Sequence, residues 1–338
     1  MGLVLSGGGA RAAYQAGVLA GINEALQGND LPQPFPILTG VSAGAINASY
    51  LASAVGPFSH QVSQLVTLWS ELLPEQVIRT DVRSLGRLGL GWIKDLSSGG
   101  SFGQSKSTYL IDSTPLRSLL TQRVSFKQIR SNLFDGTLQG VAVTATSYAT
   151  GTSITFFDTP DTSNGGIRSN APFSPAIHLG ADRILAIGVR DLKTDSETLE
   201  RSQTEKMKTI TTADISGVIL NSIFLDALEF DYERLQRINQ TIQVLQEDNC
   251  VRHPSELRVI PTLLIRPSQD LGIMATEQFD RFPAMLKYLL RGLGASPEKG
   301  GDLLSYIAFD RNYTRRLVDL GLSDARNQRD EIIRFFFD

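Results

Sequence analysis

The sequence predicts an α/β fold, because its N-terminal region contains two consecutive strand–turn–helix units. Each unit begins with a short apolar run, at residues 3–5 or 35–38, and passes through glycines into apolar residues at helical spacing. A third apolar run at residues 184–187 predicts another strand of the same kind. With 338 residues the chain can bury a sizeable core, as one large α/β domain or as two smaller units.

The composition is that of a globular protein and argues against several other classes. Hydrophobic residues make up 41% of the chain and charged residues 20%, and the net charge of -3 comes without a basic block that would bind nucleic acid. A single cysteine, Cys250, and three histidines supply neither a disulfide framework nor a metal-ligand spacing. We expect no signal peptide, no membrane span and no metal, and a reducing, cytoplasmic location.

The first turn contains three consecutive glycines, Gly7, Gly8 and Gly9. Apolar positions recur at helical spacing from residue 12 to residue 26, so the glycines join a strand to a helix. Glycines in such a turn let backbone N–H groups point at an anion, and the helix N-terminus reinforces them. Their spacing differs from that of a dinucleotide-binding loop and no Walker lysine follows, so no cofactor is predicted.

The second turn, at residues 40–44, has the pattern Gly-x-Ser-x-Gly. Glycines on both sides of Ser42 indicate a nucleophile elbow, where the backbone turns too sharply for a Cβ atom at Gly40 or Gly44. Unpaired N–H groups at the start of the next helix would face a developing oxyanion. The pattern predicts acyl chemistry at Ser42; the alternative is that small residues only allow close packing of helix and sheet.

Together the two turns resemble the opening of the patatin-like phospholipases, in particular the bacterial type, which combine a Gly-Gly-Gly-x-Arg loop with a Gly-x-Ser-x-Gly serine. The resemblance implies a three-layer α/β/α sandwich with a mostly parallel sheet, and a Ser-Asp dyad. It implies that Ser42 is the nucleophile, that the N–H groups of Gly7, Gly8 and Gly9 are the oxyanion donors, and that Arg11 holds the loop or a lipid phosphate. The implied substrates are acyl esters of phospholipids or lysophospholipids.

The chain departs from this family at the position of the dyad aspartate. Where the family has Asp-Gly-Gly or Asp-Gly-Ala, this chain has Asn164 followed by Gly165 and Gly166. An amide cannot act as a general base near neutral pH, and such a base contributes ~10²–10⁴ in rate. Three explanations remain open: an inactivated variant, a natural pseudoenzyme, or a stretch of chain missing before Asn164. We therefore expect an acyl hydrolase with weak or disabled activity or, alternatively, an inactive lipid-binding or regulatory protein.

Other residues are weaker candidates for the base. Asp158 and Asp161 lie shortly before the motif, but neither precedes a Gly-Gly turn. A Ser-His-Asp triad of the α/β-hydrolase type needs a histidine after the serine and the acid, and only His253 lies late enough in the chain.

The rest of the chain predicts mainly architecture. Residues 83–94 mix apolar and basic side chains with Trp92, which suits contact with a lipid surface or an ordinary lid, and residues 97–107 suggest a mobile loop. A hairpin is expected at residues 138–157, a long helix at 225–245, a strand near 258–265, and further helices from residue 282 to the end, the last with Ser323 as its N-cap.

These elements suggest a catalytic core at residues 1–195 and a mainly helical part at residues 196–338 that packs on it. Peripheral contact with the inner face of the membrane is expected beside the lipid substrate. The sequence does not predict the oligomeric state.

Overall fold

A computed structural model describes residues 1–26, 32–79, 112–147, 150, 152–160, 165–168, 171–191, 210–247, 258–282 and 284–338. Several sequence predictions fall outside these residues: the segments at 83–94 and 97–107, Asp161, Asn164, Cys250 and His253.

The described residues include seven strands, which form a single sheet. The strands are β1 (Gly2–Leu5), β2 (Ile37–Val41), β3 (Gly140–Ser147), β4 (Thr152–Asp158), β5 (Gly165–Arg168), β6 (Ile184–Ile187) and β7 (Thr262–Ile265). Their order is β5-β4-β3-β2-β1-β6-β7. The five strands from β3 to β7 in this order are parallel, whereas β4 and β5 pair in antiparallel fashion at one edge.

Helices surround this sheet. Along the chain they are α1 (Ala13–Ala25), α2 (Ala43–Ser53), α3 (Phe58–Ser70), α4 (Pro74–Val77), α5 (Thr114–Arg123), α6 (Phe126–Phe134), α7 (Ser174–His178), α8 (Thr212–Phe224), α9 (Asp226–Glu247), α10 (Leu271–Thr276), α11 (Ala284–Gly292), α12 (Gly301–Ile307), α13 (Arg311–Asn327) and α14 (Arg329–Phe337). No helix in the described ranges combines the length and apolar character needed to cross a bilayer.

The core has two parts, one on each face of the sheet, because successive strand residues point in opposite directions. Leu3 and Leu5 of β1 pack into the larger cluster with side chains of α1, α2 and α13, whereas Val4 packs into a smaller cluster with side chains of α7 and α9. The central strands β1, β2 and β6 are buried on both faces, as parallel strands usually are. This arrangement confirms the predicted three-layer sandwich.

Parallel pairing puts the two glycine turns side by side. Leu5 at the end of β1 is in register with Gly40 of β2 on one side and with Ile187 of β6 on the other. The two turns therefore lie side by side at the carboxyl ends of β1 and β2, which is where open parallel sheets bind ligands.

The C-terminal helices differ from the sequence prediction in one respect. Ser323 was expected to cap the last helix, but it lies inside α13, and the last helix begins at Arg329. The continuous helix fits closely against α1: a Cβ atom on Gly17 would lie 1.9 Å from the carbonyl oxygen of Val318, and one on Gly321 would lie 2.2 Å from that of Tyr14. This backbone-to-backbone packing favours helix continuation over capping at the serine.

Candidate active site

Ser42 occupies the sharp turn between β2 and α2. Its backbone angles are φ 50° and ψ -117°, and no other non-glycine residue in the described ranges has a positive φ. A conformation of this kind costs about 1–3 kcal/mol and persists only where its surroundings impose it. The Ser42 N–H donates to the carbonyl oxygen of Thr144 on β3 at 3.0 Å, which fixes the turn to the sheet. The Ser42 side chain is exposed.

Neither glycine of the elbow can carry a side chain. A Cβ atom on Gly40 would lie 2.3 Å from the carbonyl oxygen of Gly44. One on Gly44 would lie 2.3 Å from the carbonyl oxygen of Leu5 and 2.4 Å from that of Ser6. The first glycine lets α2 begin directly over its own strand, and the second lets it pass against the end of β1.

The glycine loop lies next to Ser42. Gly9, with φ 59°, lines the same cavity as Ser42, while Gly7 and Gly8 are buried beside it. The backbone N–H groups of these three glycines donate to no acceptor among the described residues. Free N–H groups beside an exposed serine hydroxyl are the arrangement that an oxyanion requires.

Arg11 fastens the glycine loop to α12. Its side chain is only 3% exposed. Its Nε–H donates to Ser305 Oγ at 2.7 Å and its Nη2 donates to Asp302 Oδ1 at 2.8 Å. The guanidinium also lies over the ring of Tyr306, 4.7 Å from its centroid. These contacts support the loop-holding role among the two expected for Arg11.

Tyr306 supports the loop from a second direction. A Cβ atom on Gly9 would lie 2.2 Å from the carbonyl oxygen of Tyr306, so the loop backbone rests directly on α12. The Tyr306 hydroxyl donates to Asn221 Oδ1 of α8 at 3.1 Å. Burial raises the pKa of Tyr306, so its hydroxyl remains protonated. The sequence analysis identified neither Tyr306 nor Asp302, because nothing local indicates that α12 reaches the loop.

A buried polar network connects the two turns. Gln15 Nε2 donates to the carbonyl oxygen of Ser6 at 2.9 Å, and Asn47 Nδ2 donates to Gln15 Oε1 at 2.9 Å. Trp69 Nε1 in turn donates to Asn47 Oδ1 at 2.7 Å. Gln15 and Asn47 are both fully buried. Polar residues on otherwise apolar helices were the available signal for this network, which holds α1, α2 and α3 in fixed relation.

Ser42 lines a cavity of about 330 Å³ whose walls are mainly apolar. The only charged residue among those that line it is Arg123. The lining residues are Gly9, Ser42, Ala43, Ile46, Tyr50, Leu68, Trp69, Leu72, Val77, Leu116, Leu119, Leu120, Arg123, Val124 and Phe309. Such a cavity suits a hydrocarbon chain.

The structure does not bring Gly165 and Gly166 next to Ser42. Gly165 pairs with Phe157 of β4, which faces Ala142 of β3, which faces Thr39 of β2. Three inter-strand steps separate β5 from β2, a distance of about 14 Å.

The alternative acid Asp158 is also engaged elsewhere. It forms an ion pair with Arg130 of α6 and does not line the cavity. Within the described ranges no three His, Cys, Asp or Glu side chains come together as metal ligands would.

Comparison with known proteins agrees with the geometry. The family model described as patatin-like phospholipase matches residues 3–177, just over half of the chain, a range that contains both glycine turns and ends before α12. A search of curated proteins gives no match. The family indicates lipid acyl hydrolase activity on lipid esters. The chain belongs to the patatin-like phospholipase family.

Proposed function

We propose that this protein is a serine acyl hydrolase that cleaves acyl esters of phospholipids or lysophospholipids, with Ser42 as the nucleophile. The observation that carries the proposal is the strained, exposed Ser42 beside the free N–H groups of the glycine loop, at the mouth of an apolar cavity. The family supplies the substrate class, and the cavity supplies space for the acyl chain.

The proposed reaction proceeds through an acyl-enzyme. Ser42 Oγ forms a bond to the ester carbonyl carbon as its proton passes to a base, and the carbonyl oxygen becomes an oxyanion that accepts from the N–H groups of the glycine loop. The C–O bond to the alcohol then breaks, and the alcohol leaves with the proton. Water attacks the acyl-enzyme in the same way and releases the fatty acid and free Ser42.

The proposed reaction requires a base that takes the proton of Ser42. The family resemblance assigns it to position 164, where the chain has asparagine. We propose that hydrolysis by this chain is weak or disabled for lack of a carboxylate at position 164.

One observation favours a second function, that of an inactive lipid-binding or regulatory protein. No carboxylate or imidazole belongs to the described residues that line the cavity around Ser42. In that case the cavity binds lipid without turnover.

Hydrolysis of p-nitrophenyl esters by the parent chain, Asn164→Asp and Ser42→Ala distinguishes the two functions. The hydrolase proposal predicts that Asn164→Asp hydrolyses the ester ~10²-fold or more faster than the parent chain. It also predicts that a double variant, with Ser42→Ala added to Asn164→Asp, is inactive. If Asn164→Asp gains nothing over an inert parent, the binding function is supported and the dyad assignment is wrong.

We also propose peripheral contact with a lipid surface in the cytoplasm. Its support is the apolar face of α8, where Ile215, Val218, Ile219 and Ile223 are all more than half exposed and no charged residue interrupts them. The other side of α8 contacts α12 through Asn221. The exposed apolar face is therefore only one helix diameter from α12, which holds the glycine loop. Co-sedimentation with phospholipid vesicles should fall in Ile219→Asp and persist in Val244→Asp, a matched exposed position on α9.

A further inference from the structure

The cavity has two chemically different ends, both defined by α2. Ser42, Ile46 and Tyr50 line it, and residues four apart on a helix lie on the same face. Eight residues at 1.5 Å per residue place Tyr50 about 12 Å along the helix from Ser42. The cavity therefore follows α2 from the serine to the tyrosine, with Ile46 in between.

The wall between these ends is apolar. Side chains of α3 and α5 enclose it, together with two residues that follow α3. They are Leu68, Trp69, Leu72, Val77, Leu116, Leu119 and Leu120. A phosphate headgroup would lose its hydration along this wall without gaining a partner, whereas methylene groups would gain about 0.8 kcal/mol each from burial.

Arg123 lines the cavity together with Tyr50, and its side chain is exposed. It is the last residue of α5, and no described residue forms a hydrogen bond or an ion pair with its side chain or with the Tyr50 hydroxyl. Burial raises the pKa of Tyr50, and the positive charge of Arg123 acts against this rise. By contrast, Arg130 of the next helix is paired with Asp158.

This pair of donors matches one kind of ligand group. A guanidinium and a phenolic hydroxyl together bind a carboxylate, the guanidinium through two parallel hydrogen bonds. An acyl chain whose ester carbonyl lies at Ser42 would reach the pair with its terminal carbon, because the connecting wall accepts only hydrocarbon.

We propose that Tyr50 and Arg123 form a distal subsite for a carboxylate at the far end of the acyl chain. The preferred acyl group is then of medium length and carries a terminal carboxylate, as in a mono-ester of a dicarboxylic acid or in the shortened chain of an oxidised lipid. This inference rests on the proposed function for the orientation of the ester at Ser42.

A binding experiment tests the subsite separately from catalysis. Monomethyl nonanedioate and methyl nonanoate differ at the far end of the chain, and Trp69 in the cavity wall reports their binding by fluorescence. The Ser42→Ala chain cannot form an acyl-enzyme. It should bind monomethyl nonanedioate, which carries the terminal carboxylate, about tenfold more tightly than methyl nonanoate. This preference should disappear with Arg123→Gln, weaken with Tyr50→Phe, and persist with Arg117→Gln, an exposed arginine of α5 outside the cavity.

Equal affinity for the two esters, or a preference that survives Arg123→Gln, would overturn the subsite. So would a result in which Arg123→Gln weakens only a short-chain lysophospholipid, because the anion would then be the headgroup phosphate. Hydrolysis of the same two esters by Asn164→Asp separates the two proposals. If the carboxylate ester binds more tightly but neither ester is hydrolysed, the hydrolase proposal is wrong and the subsite proposal stands. If both esters are hydrolysed but bind equally well, the subsite proposal is wrong and the hydrolase proposal stands.

Discussion

The two glycine turns follow neighbouring parallel strands, and both contribute lining residues to one cavity. Different parts of the chain nevertheless hold them in place. The elbow around Ser42 is shaped by its own glycines and by the end of β1, where Gly44 passes the carbonyl oxygens of Leu5 and Ser6. The glycine loop is held by α12, through Arg11 and Asp302, which are 291 residues apart.

The comparison shows that one half of the candidate site is local and the other half is long-range. The elbow depends mainly on contacts within the N-terminal strand–turn–helix units, with one further hydrogen bond from the Ser42 N–H to Thr144 of β3. The loop depends on a helix outside the range that the family model matches. Substitutions in the elbow should therefore affect folding most, and substitutions that displace the loop backbone should affect acylation more than folding.

The largest effect is expected for Gly44→Ala. The added methyl group would meet backbone rather than a movable side chain, with the nearest oxygen at 2.3 Å, so the end of β1 and α2 must separate. We expect a loss of about 3 kcal/mol or more in the free energy of unfolding, measured by urea denaturation. Gly292→Ala is the matched control, because nothing lies within 4 Å of its Cβ position and its stability should not fall. If Gly44→Ala were as stable as that control, the close packing of Gly44 against the end of β1 would not be needed for the elbow to fold.

Gly9→Ala should mainly impair acylation. Its φ of 59° and the Tyr306 carbonyl oxygen at 2.2 Å force the loop away from α12 and displace the N–H groups beside Ser42. We expect kcat for ester hydrolysis in the Asn164→Asp background to fall ~10²-fold. An unchanged kcat would show that this loop does not stabilise the oxyanion.

Arg11→Met should give a smaller loss of the same kind. It keeps the unbranched stem of the side chain but removes the guanidinium and its hydrogen bonds to Ser305 and Asp302. We expect about tenfold lower kcat with little change in KM, and a loss of about 2 kcal/mol in the free energy of unfolding. If Arg11 instead bound a lipid phosphate, KM for phospholipid would rise while KM for p-nitrophenyl esters stayed constant.

The smallest effect is expected for Tyr306→Phe. It removes the hydrogen bond from the Tyr306 hydroxyl to Asn221 and leaves the carbonyl oxygen beneath Gly9 in place. Thermal unfolding should show a loss of about 1 kcal/mol, with unchanged kcat. A large loss of kcat would place the Tyr306 hydroxyl in the reaction rather than in the support of the loop.

The sequence predicted both glycine turns but not that α12 holds the glycine loop through Ser305 and Asp302. Glycines flanking Ser42 have a direct steric reason, which a short pattern records, and the continuous apolar run of β1 follows from burial on both faces. The contact between Arg11 and α12 leaves no such pattern, because the partners are joined only by the fold. The Ser323 cap was wrong for a related reason, since packing of α13 on α1 overrides a local capping signal.

The position of the dyad partner stays a prediction, because Asn164 lies outside the described residues. The motif at residues 164–166 was aligned by its residue types, whereas its distance from Ser42 depends on strand order and register. Two intervening strands, β3 and β4, separate Gly165 from β2. Spacing along the chain carries no information about that separation.

The most direct test of the central claim is to locate the covalent adduct formed with a fluorophosphonate. The parent chain, Asn164→Asp and Ser42→Ala would be incubated with the probe, digested and analysed by mass spectrometry. We predict an adduct on the peptide that contains Ser42, formed faster in Asn164→Asp and absent from Ser42→Ala. An adduct on another residue, or no adduct in either the parent or Asn164→Asp, would contradict the assignment of Ser42 as the nucleophile.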